Sequence, residues 1–311
     1  MKSFLTIPLT FLLTSLIGIP SSVDAWGAEG HKAVGQIAQN ILQPDVESQV
    51  AKLFQDKSFG GKLAPASLWA DTIKKQKGSP FAFWSAPLHF IDTRDNPGKS
   101  CSVDEERDCP DGVCVVGAIA NYTTQLDCEN GFDRDTRDIA LRFLTHFFGD
   151  ITQPLHVCGR SKGGNDVPVT FDGRKTNLHA IWDTQIVRKR LQDFDNSLDK
   201  YIAFLTSEIQ NGTYVSEKDE WVACDTPSRR RRRDTSTILK RAKATTRCPL
   251  SWATDTNEIN CPFVWESIDE NPNLDLGQGY YKAAIPFVDK QLAKGGYRLG
   301  TFLNSILTKK C

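Results

Sequence analysis

Two of the five histidines in this 311-residue chain are followed four residues later by an aspartate: His146 by Asp150, and His179 by Asp183. Residues four apart share one face of a helix. In both segments that face is apolar, with Ile139 and Phe143 beside the first pair and Leu178, Ile181 and Trp182 around the second. An ionised carboxylate on a core face is costly unless it is paired or binds a metal. His156 follows six residues after Asp150, just past Pro154. His31, His89 in Pro87-Leu-His-Phe-Ile-Asp92 and Asp71 in Ser67-Leu-Trp-Ala-Asp71 complete the set. Imidazole and carboxylate are the usual zinc ligands of hydrolases. Any one of these histidines taken alone reads as a hydrogen-bonded structural residue. Two pairs on apolar faces, with every histidine usable in one place, read better as a multinuclear metal site.

These groups must be positioned mostly by helices. Residues 30–42 repeat Val34, Ile37, Ala38 and Ile41 at the helical period, and Pro44-Asp45 opens a second helix to about Phe54. Residues 134–150 carry Ile139, Phe143, His146 and Asp150 on one face, and the helix should bend or end before His156. Residues 278–304 align Tyr281, Ala284, Ile285, Val288 and Leu292, with Pro286 expected to kink them. Strand alternation is confined to Val167–Phe171, ending at the Asp172-Gly173 turn, which reads as one arm of a short hairpin. Residues 95–114, rich in Asp, Pro, Gly and Cys, read as a stapled loop. The expected fold class is all-α, mainly helical, with one short β-hairpin.

The chain is 24% charged and 40% hydrophobic, which excludes disordered, collagen-like and coiled-coil classes. Lys2, the apolar run Phe4–Ile19 and Val23-Asp24-Ala25 read as a signal peptide over residues 1–25, cut before Trp26. An uncleaved membrane anchor is the alternative. No later run is long enough to cross a bilayer. Nine cysteines, all after residue 25, and the sequons Asn121-Tyr-Thr and Asn211-Gly-Thr fit a secreted glycoprotein with disulfides. Because nine is odd, at least one thiol is left over or joins another chain.

Equal numbers of acidic and basic residues give zero formal charge, which at first argues against a nucleic-acid partner. The average conceals an uneven distribution. Between Cys224 and Cys248 nine basic residues, five of them Arg229–Arg233, face only Asp225 and Asp234. This basic insertion reads as a solvated surface segment, a polyanion-binding arm or a processing site. The rest of the chain after residue 25 is correspondingly acidic.

Several ordered motifs resemble the secreted zinc-dependent single-strand nucleases and 3′-nucleotidases of fungi and plants, the S1/P1 nucleases. They are Trp26-Gly with His31, Trp-Ala-Asp71, His-Phe-Ile-Asp92, His146-Phe-Phe-Gly-Asp-Ile-Thr-Gln-Pro-Leu-His156, Gly163-Gly-Asn-Asp166, Asn177-Leu-His-Ala-Ile-Trp-Asp183, Gly279-Tyr-Tyr and Gly-Gly-Tyr-Arg298. Trp252-Ala-Thr-Asp-Thr-Asn257 is similar to the family's Trp-Ala-x-Glu-Ser-Asn. The resemblance covers most of residues 26–311 and implies one nuclease domain there, with the helical fold shared by zinc phospholipases C.

It further implies three zinc ions. Asp71, His89, His146 and Asp150 would hold one; His156, His179 and Asp183 a second. The α-amino nitrogen and carbonyl oxygen of Trp26, with His31, would hold the third, Asp150 bridging it to the first. Only a free amine serves there, so the site is expected to complete only after cleavage at Ala25. The implied activity is hydrolysis of single-stranded DNA and RNA to 5′-phosphates, and of 3′-nucleotides, by zinc-activated water. Phe90 would stack on a base and Asp92 would bond its edge, although a core aromatic and a loop cap are their structural alternatives. Lys74 stands where the family often has Arg, so a phosphate contact there loses the bidentate fork. Family positions imply Cys101–Cys261 and Cys109–Cys114 disulfides; Cys224–Cys248 closing the insertion is a guess, and Cys128, Cys158 and Cys311 stay unassigned. A monomer is expected. The competing readings are a phospholipase C-like phosphodiesterase, whose last ligand is typically Glu where this chain has Asp183, and a secreted polyanion binder with a non-catalytic metal site.

Overall fold

The computed structural model describes residues 26–224 and 247–308. Residues 1–25, expected to be a signal peptide, Arg229–Arg233 with the rest of residues 225–246, and Cys311 lie outside the described residues. The described chain is mainly helical with one hairpin. Its longer helices are α1 (Ala28–Asn40), α2 (Pro44–Leu53), α3 (Trp69–Lys75), α4 (Val115–Leu126), α5 (Arg134–Asp150), α6 (Leu198–Gln210), α7 (Arg247–Asn257) and α8 (Gly279–Leu307). None is long and apolar enough to cross a membrane.

Helix α5 forms the centre of the molecule. The Asp133 carboxylate accepts the Thr136 backbone N–H at 2.8 Å, satisfying one of the free donors at its start. Its apolar face then buries Phe143, Phe147 and Phe148 completely. Tyr122 of α4 stacks on Phe143 with ring centroids 4.6 Å apart. Helix α1 buries Val34, Ile37 and Ala38 against α8, and the two backbones approach closely at Gly296. A Cβ at Gly296 would stand 2.5 Å from the Ile37 Cβ, so no larger residue fits without moving a helix. Helix α8 continues across Pro286.

The hairpin is β1 (Pro168–Phe171) paired antiparallel with β2 (Arg174–Asn177), Phe171 opposite Arg174. Asp172 and Gly173 both have positive φ, the two-residue turn that Asp-Gly favours. The Asp275 carboxylate accepts from both turn N–H groups, at 2.9 and 2.7 Å.

Two segments depart from the sequence reading. The stapled loop at 95–114 holds a helical turn, Glu105–Asp108, capped by the Asp104 carboxylate. The segment after the hairpin is not a uniform α-helix: Leu178–Ala180 leads into a π-helical turn, Ile181–Gln185, before Ile186–Arg190. Cys101 is joined to Cys261, Cys109 to Cys114 and Cys224 to Cys248. Cys128 is also disulfide-bonded, and Cys158 is a free, buried thiol. The sequon residues Asn121 and Asn211 are both exposed.

Candidate metal centre

Each candidate ligand is placed by a local feature. His31 lies in the first turns of α1, Asp71 in the first turn of α3, and His146 and Asp150 in the last turns of α5. His89 ends a short 3-10 turn, Ala86–His89. Helix α5 ends at Asp150, and a second 3-10 turn, Pro154–Val157, carries His156. The Asn177 side chain accepts the Ala180 N–H at 2.8 Å and starts the segment holding His179 and Asp183. Asp183 sits inside the π turn, a distortion that is frequent at functional sites. All five histidines and all three aspartates are buried.

Three groups of these side chains converge within 4.8 Å: His89, His146 and Asp150; His156, His179 and Asp183; and His31, Asp71 and His146. Asp150 links them. One of its oxygens is 3.3 Å from His31 Nε2; the other is 2.9 Å from His89 Nδ1 and 3.2 Å from His146 Nε2. Asp183 Oδ2 is 3.1 Å from His179 Nε2. The rings of His31 and His146 stack at 3.8 Å.

Backbone carbonyls orient three of the rings. Nδ1 of His146 meets Ser67 O at 2.6 Å, Nδ1 of His156 meets His89 O at 2.8 Å, and Nδ1 of His179 meets Gly163 O at 2.6 Å. A carbonyl only accepts, so Nδ1 carries the proton and each neutral ring presents its Nε2 lone pair inward. Nε2 of His156 and Nε2 of His179 stand 3.2 Å apart. His89 is turned the other way, with Nδ1 toward Asp150 and His146.

This donor set fits cations. Both Asp150 oxygens, Asp183 Oδ2 and His31 Nε2 are buried without an aligned hydrogen bond, whereas buried polar atoms are normally satisfied. Burial works against ionised Asp150, yet His146 and His89 hold it well below the ordinary carboxylate range. Asp71 is likewise lowered against burial, by His146, Lys74 and His89. Burial pushes His89 down to about 3, with Lys74 adding to it, and His156 down to about 4. Burial and His146 lower His31. These three rings are therefore neutral near pH 7 and have lone pairs to give. His146 and His179 are raised despite burial, by Asp150 and Asp183.

Comparison with known proteins decides the family. The S1/P1 nuclease family model matches residues 26–308. The chain belongs to the S1/P1 nuclease family. It is 36% identical to nuclease P1 of Penicillium citrinum over 283 residues, 90% of this chain and 97% of that protein. It is 37% identical to nuclease S1 of Aspergillus oryzae, over 91% of this chain and 92% of that one. Endonuclease 3 of Arabidopsis thaliana is 35% identical, over 96% and 94% of the two chains.

In this S1/P1 nuclease chain the centre opens into a cavity of about 460 Å³. His89, His156 and His179 line it together with Lys74 and Phe90. Phe90 is half-buried there and not a core aromatic. Asp92 is exposed, its carboxyl pKa raised by partial desolvation, and among the described residues it is not part of this lining. The Lys74 ammonium pairs with Asp71 at 2.5 Å. Trp26 is fully buried, its indole N–H donating to Thr152 Oγ1 at 3.1 Å, two residues beyond Asp150. The Gly27 N–H donates to Asp183 O at 2.5 Å.

Sequence reasoning gave no role to several supports of the centre. Gln153 is fully buried; its amide donates to Asp183 Oδ1 at 2.5 Å and its oxygen accepts the Leu155 N–H at 2.6 Å. Asn257 donates to Val157 O at 2.9 Å and Asn260 to Pro154 O at 2.8 Å, fixing the turn around His156. Gly163, at φ +60°, brings its carbonyl to His179; a Cβ there would meet Leu155 O at 2.4 Å. Gln153, Gly163 and Asn257 all lay within motifs already visible in the sequence, but only their contacts show what they hold.

Proposed function

We propose that this protein is a secreted, monomeric, zinc-dependent nuclease that cleaves single-stranded DNA and RNA to 5′-phosphates and also hydrolyses 3′-nucleotides. The observation that carries this reading is the buried pair of Asp150 oxygens, unpartnered among His31, His89 and His146, in a chain of the S1/P1 nuclease family. Three zinc ions suit the donors. Asp71, His89, His146 and Asp150 hold one, and His156, His179 and Asp183 hold another. The third is held by His31 and the amino and carbonyl groups of Trp26, with Asp150 shared. Bound zinc supplies positive charge to the phosphate oxygens and lowers the pKa of water toward neutrality.

The chain performs the remaining tasks. The carbonyls of Ser67, His89 and Gly163 fix three imidazoles in the tautomer that binds a cation. The Gln153 amide donates to Asp183 Oδ1 and so orients that carboxylate. Phe90 offers a stacking face at the cavity, and a duplex hides its base faces, which favours single strands. For Asp92, which lies outside the cavity lining, the base-edge role rests on the family motif alone; Lys74 lines the cavity and adds positive charge beside the phosphate. No histidine remains to act as a general base.

The test is metal analysis of the purified mature chain, with hydrolysis of single-stranded DNA, RNA, a 3′-nucleotide and phosphatidylcholine before and after chelation. Zinc near three per chain and chelator-sensitive cleavage of the nucleic acids are expected. Cleavage of phosphatidylcholine alone would favour a phospholipase; polyanion binding with no hydrolysis would favour a binding protein.

A further inference from the structure

The cavity over the candidate metal centre has a second aromatic wall, Phe83, for which the reading above has no use. Its side chain is the most exposed of the large apolar residues described, at 72%. Its backbone has φ +66°, a region that bulky residues rarely occupy. The loop is nevertheless pinned. The Phe83 N–H donates to Lys74 O at 3.0 Å, and its own carbonyl accepts the Ala86 N–H at 3.2 Å. The Trp84 indole donates to Pro80 O at 2.6 Å, and Ser85 Oγ to Phe81 O at 2.7 Å. Phe81 anchors the segment by edge contacts to Trp69 and Phe143, at 5.5 and 5.7 Å. Folding thus places a phenyl ring in solvent on an unfavourable backbone, beside a site that would hold a charged polymer. Backbone strain held in this way is a feature of ligand-binding positions.

We propose that Phe83 is a second base platform. It stacks the nucleobase adjacent to the one on Phe90 in the same single strand, with Lys74 and Lys75, which line the same cavity, beside the intervening phosphodiester. Stacking suits a strand of any sequence, because every base has a π-face. The proposal rests on the nuclease reading and extends it from one nucleotide to at least two. It makes Phe83 a residue that sets preference for polymer over mononucleotide.

The experiment compares kcat/KM on a thymidine tetranucleotide and on 3′-dTMP for the wild-type chain, Phe83→Gly, Phe83→Leu and Phe83→Trp. The ratio of tetranucleotide to mononucleotide is expected to fall about tenfold in Phe83→Gly and in Phe83→Leu, and to be restored in Phe83→Trp. Glycine accepts positive φ, so Phe83→Gly is expected to melt no lower than wild type, which separates lost stacking from lost folding. An unchanged ratio in Phe83→Gly, or a wild-type ratio in Phe83→Leu, would overturn the platform and leave the nuclease reading standing. A metal-loaded wild-type chain that cleaves neither substrate would overturn both.

Discussion

His31 Nε2 faces Asp150 Oδ1 across 3.3 Å, with both side chains fully buried and no hydrogen bond aligned between them. The other Asp150 oxygen stands in the same relation to His89 and His146. A carboxylate so placed can be shared by cations on either side of it, and its charge is what suits it to that. Replacing Asp150 by Asn keeps the shape and removes the charge. The zinc content of Asp150→Asn should fall by more than one ion per chain, and cleavage of single-stranded DNA by at least about 100-fold, the upper end of what even an outer partner of a metal ligand contributes. Full metal content in the purified variant would refute the bridge.

Trp26 gives a second test. Its indole is locked to Thr152, and the Gly27 N–H to Asp183 O, so the residue is fixed next to the centre by contacts that do not involve its amino group. A chain carrying one additional residue before Trp26 should therefore fold with a near-normal melting temperature, yet lack one zinc and most of its activity. An amide nitrogen is a poor donor where a free amine is a good one. Three zinc ions and full activity in the extended chain would disprove the role of the amine.

Phe90 lines the cavity half-buried. Stacking contributes about 1–3 kcal/mol per base. Phe90→Ala should raise KM for a 3′-nucleotide by about 5- to 150-fold while kcat changes little. A fall in kcat at constant KM would assign Phe90 to positioning of the ligands, since His89 is its neighbour in the chain.

Gly163 combines a positive φ with a carbonyl that fixes the His179 tautomer. In Gly163→Ala the new methyl meets Leu155 O, and the backbone conformation itself costs about 1–2 kcal/mol. The variant should melt lower and bind zinc about 10- to 100-fold more weakly, as read by competition with a chromophoric chelator. Unaltered zinc affinity would mean that the Gly163 carbonyl does not hold the ring.

Cys158 is the free thiol among the described residues, and burial pushes its pKa up to about 12. The thiolate is the reactive form, so the rate of alkylation of the native chain should stay negligible between pH 7 and pH 9. Unfolding without reductant should release one reactive thiol. Rapid labelling of the native protein at pH 8 would contradict the burial.

Much of the centre was legible in the chain because helical spacing is local. His146 and Asp150, or His179 and Asp183, share a face wherever the helix goes, and an acidic residue on an apolar face calls for a counter-charge. The Asp-Gly turn after Phe171 announced itself in the same way, since few residue pairs accept positive φ in succession. The π turn at Ile181–Gln185 did not, because the His179–Asp183 spacing reads as an ordinary i, i+4 helical pair and carries no mark of the altered hydrogen-bond pattern. Phe83 was also missed: one more apolar residue in Pro80-Phe-Ala-Phe-Trp84 reads as core until its exposure is known.

The residue types of the candidate centre, their spacing on helix faces, the family motifs and the uneven charge behind a zero total were all readable along the chain. Packing set which of these side chains meet: Asp150 stands between His31 and His89, and Gln153 holds Asp183. It also decided which nitrogen of each ring faces inward. The physical reason is one of range. Spacing along a helix fixes neighbours within about one turn, whereas these contacts join segments separated by tens of residues and are set by the packing of α1, α3 and the Ala86–His89 turn around α5.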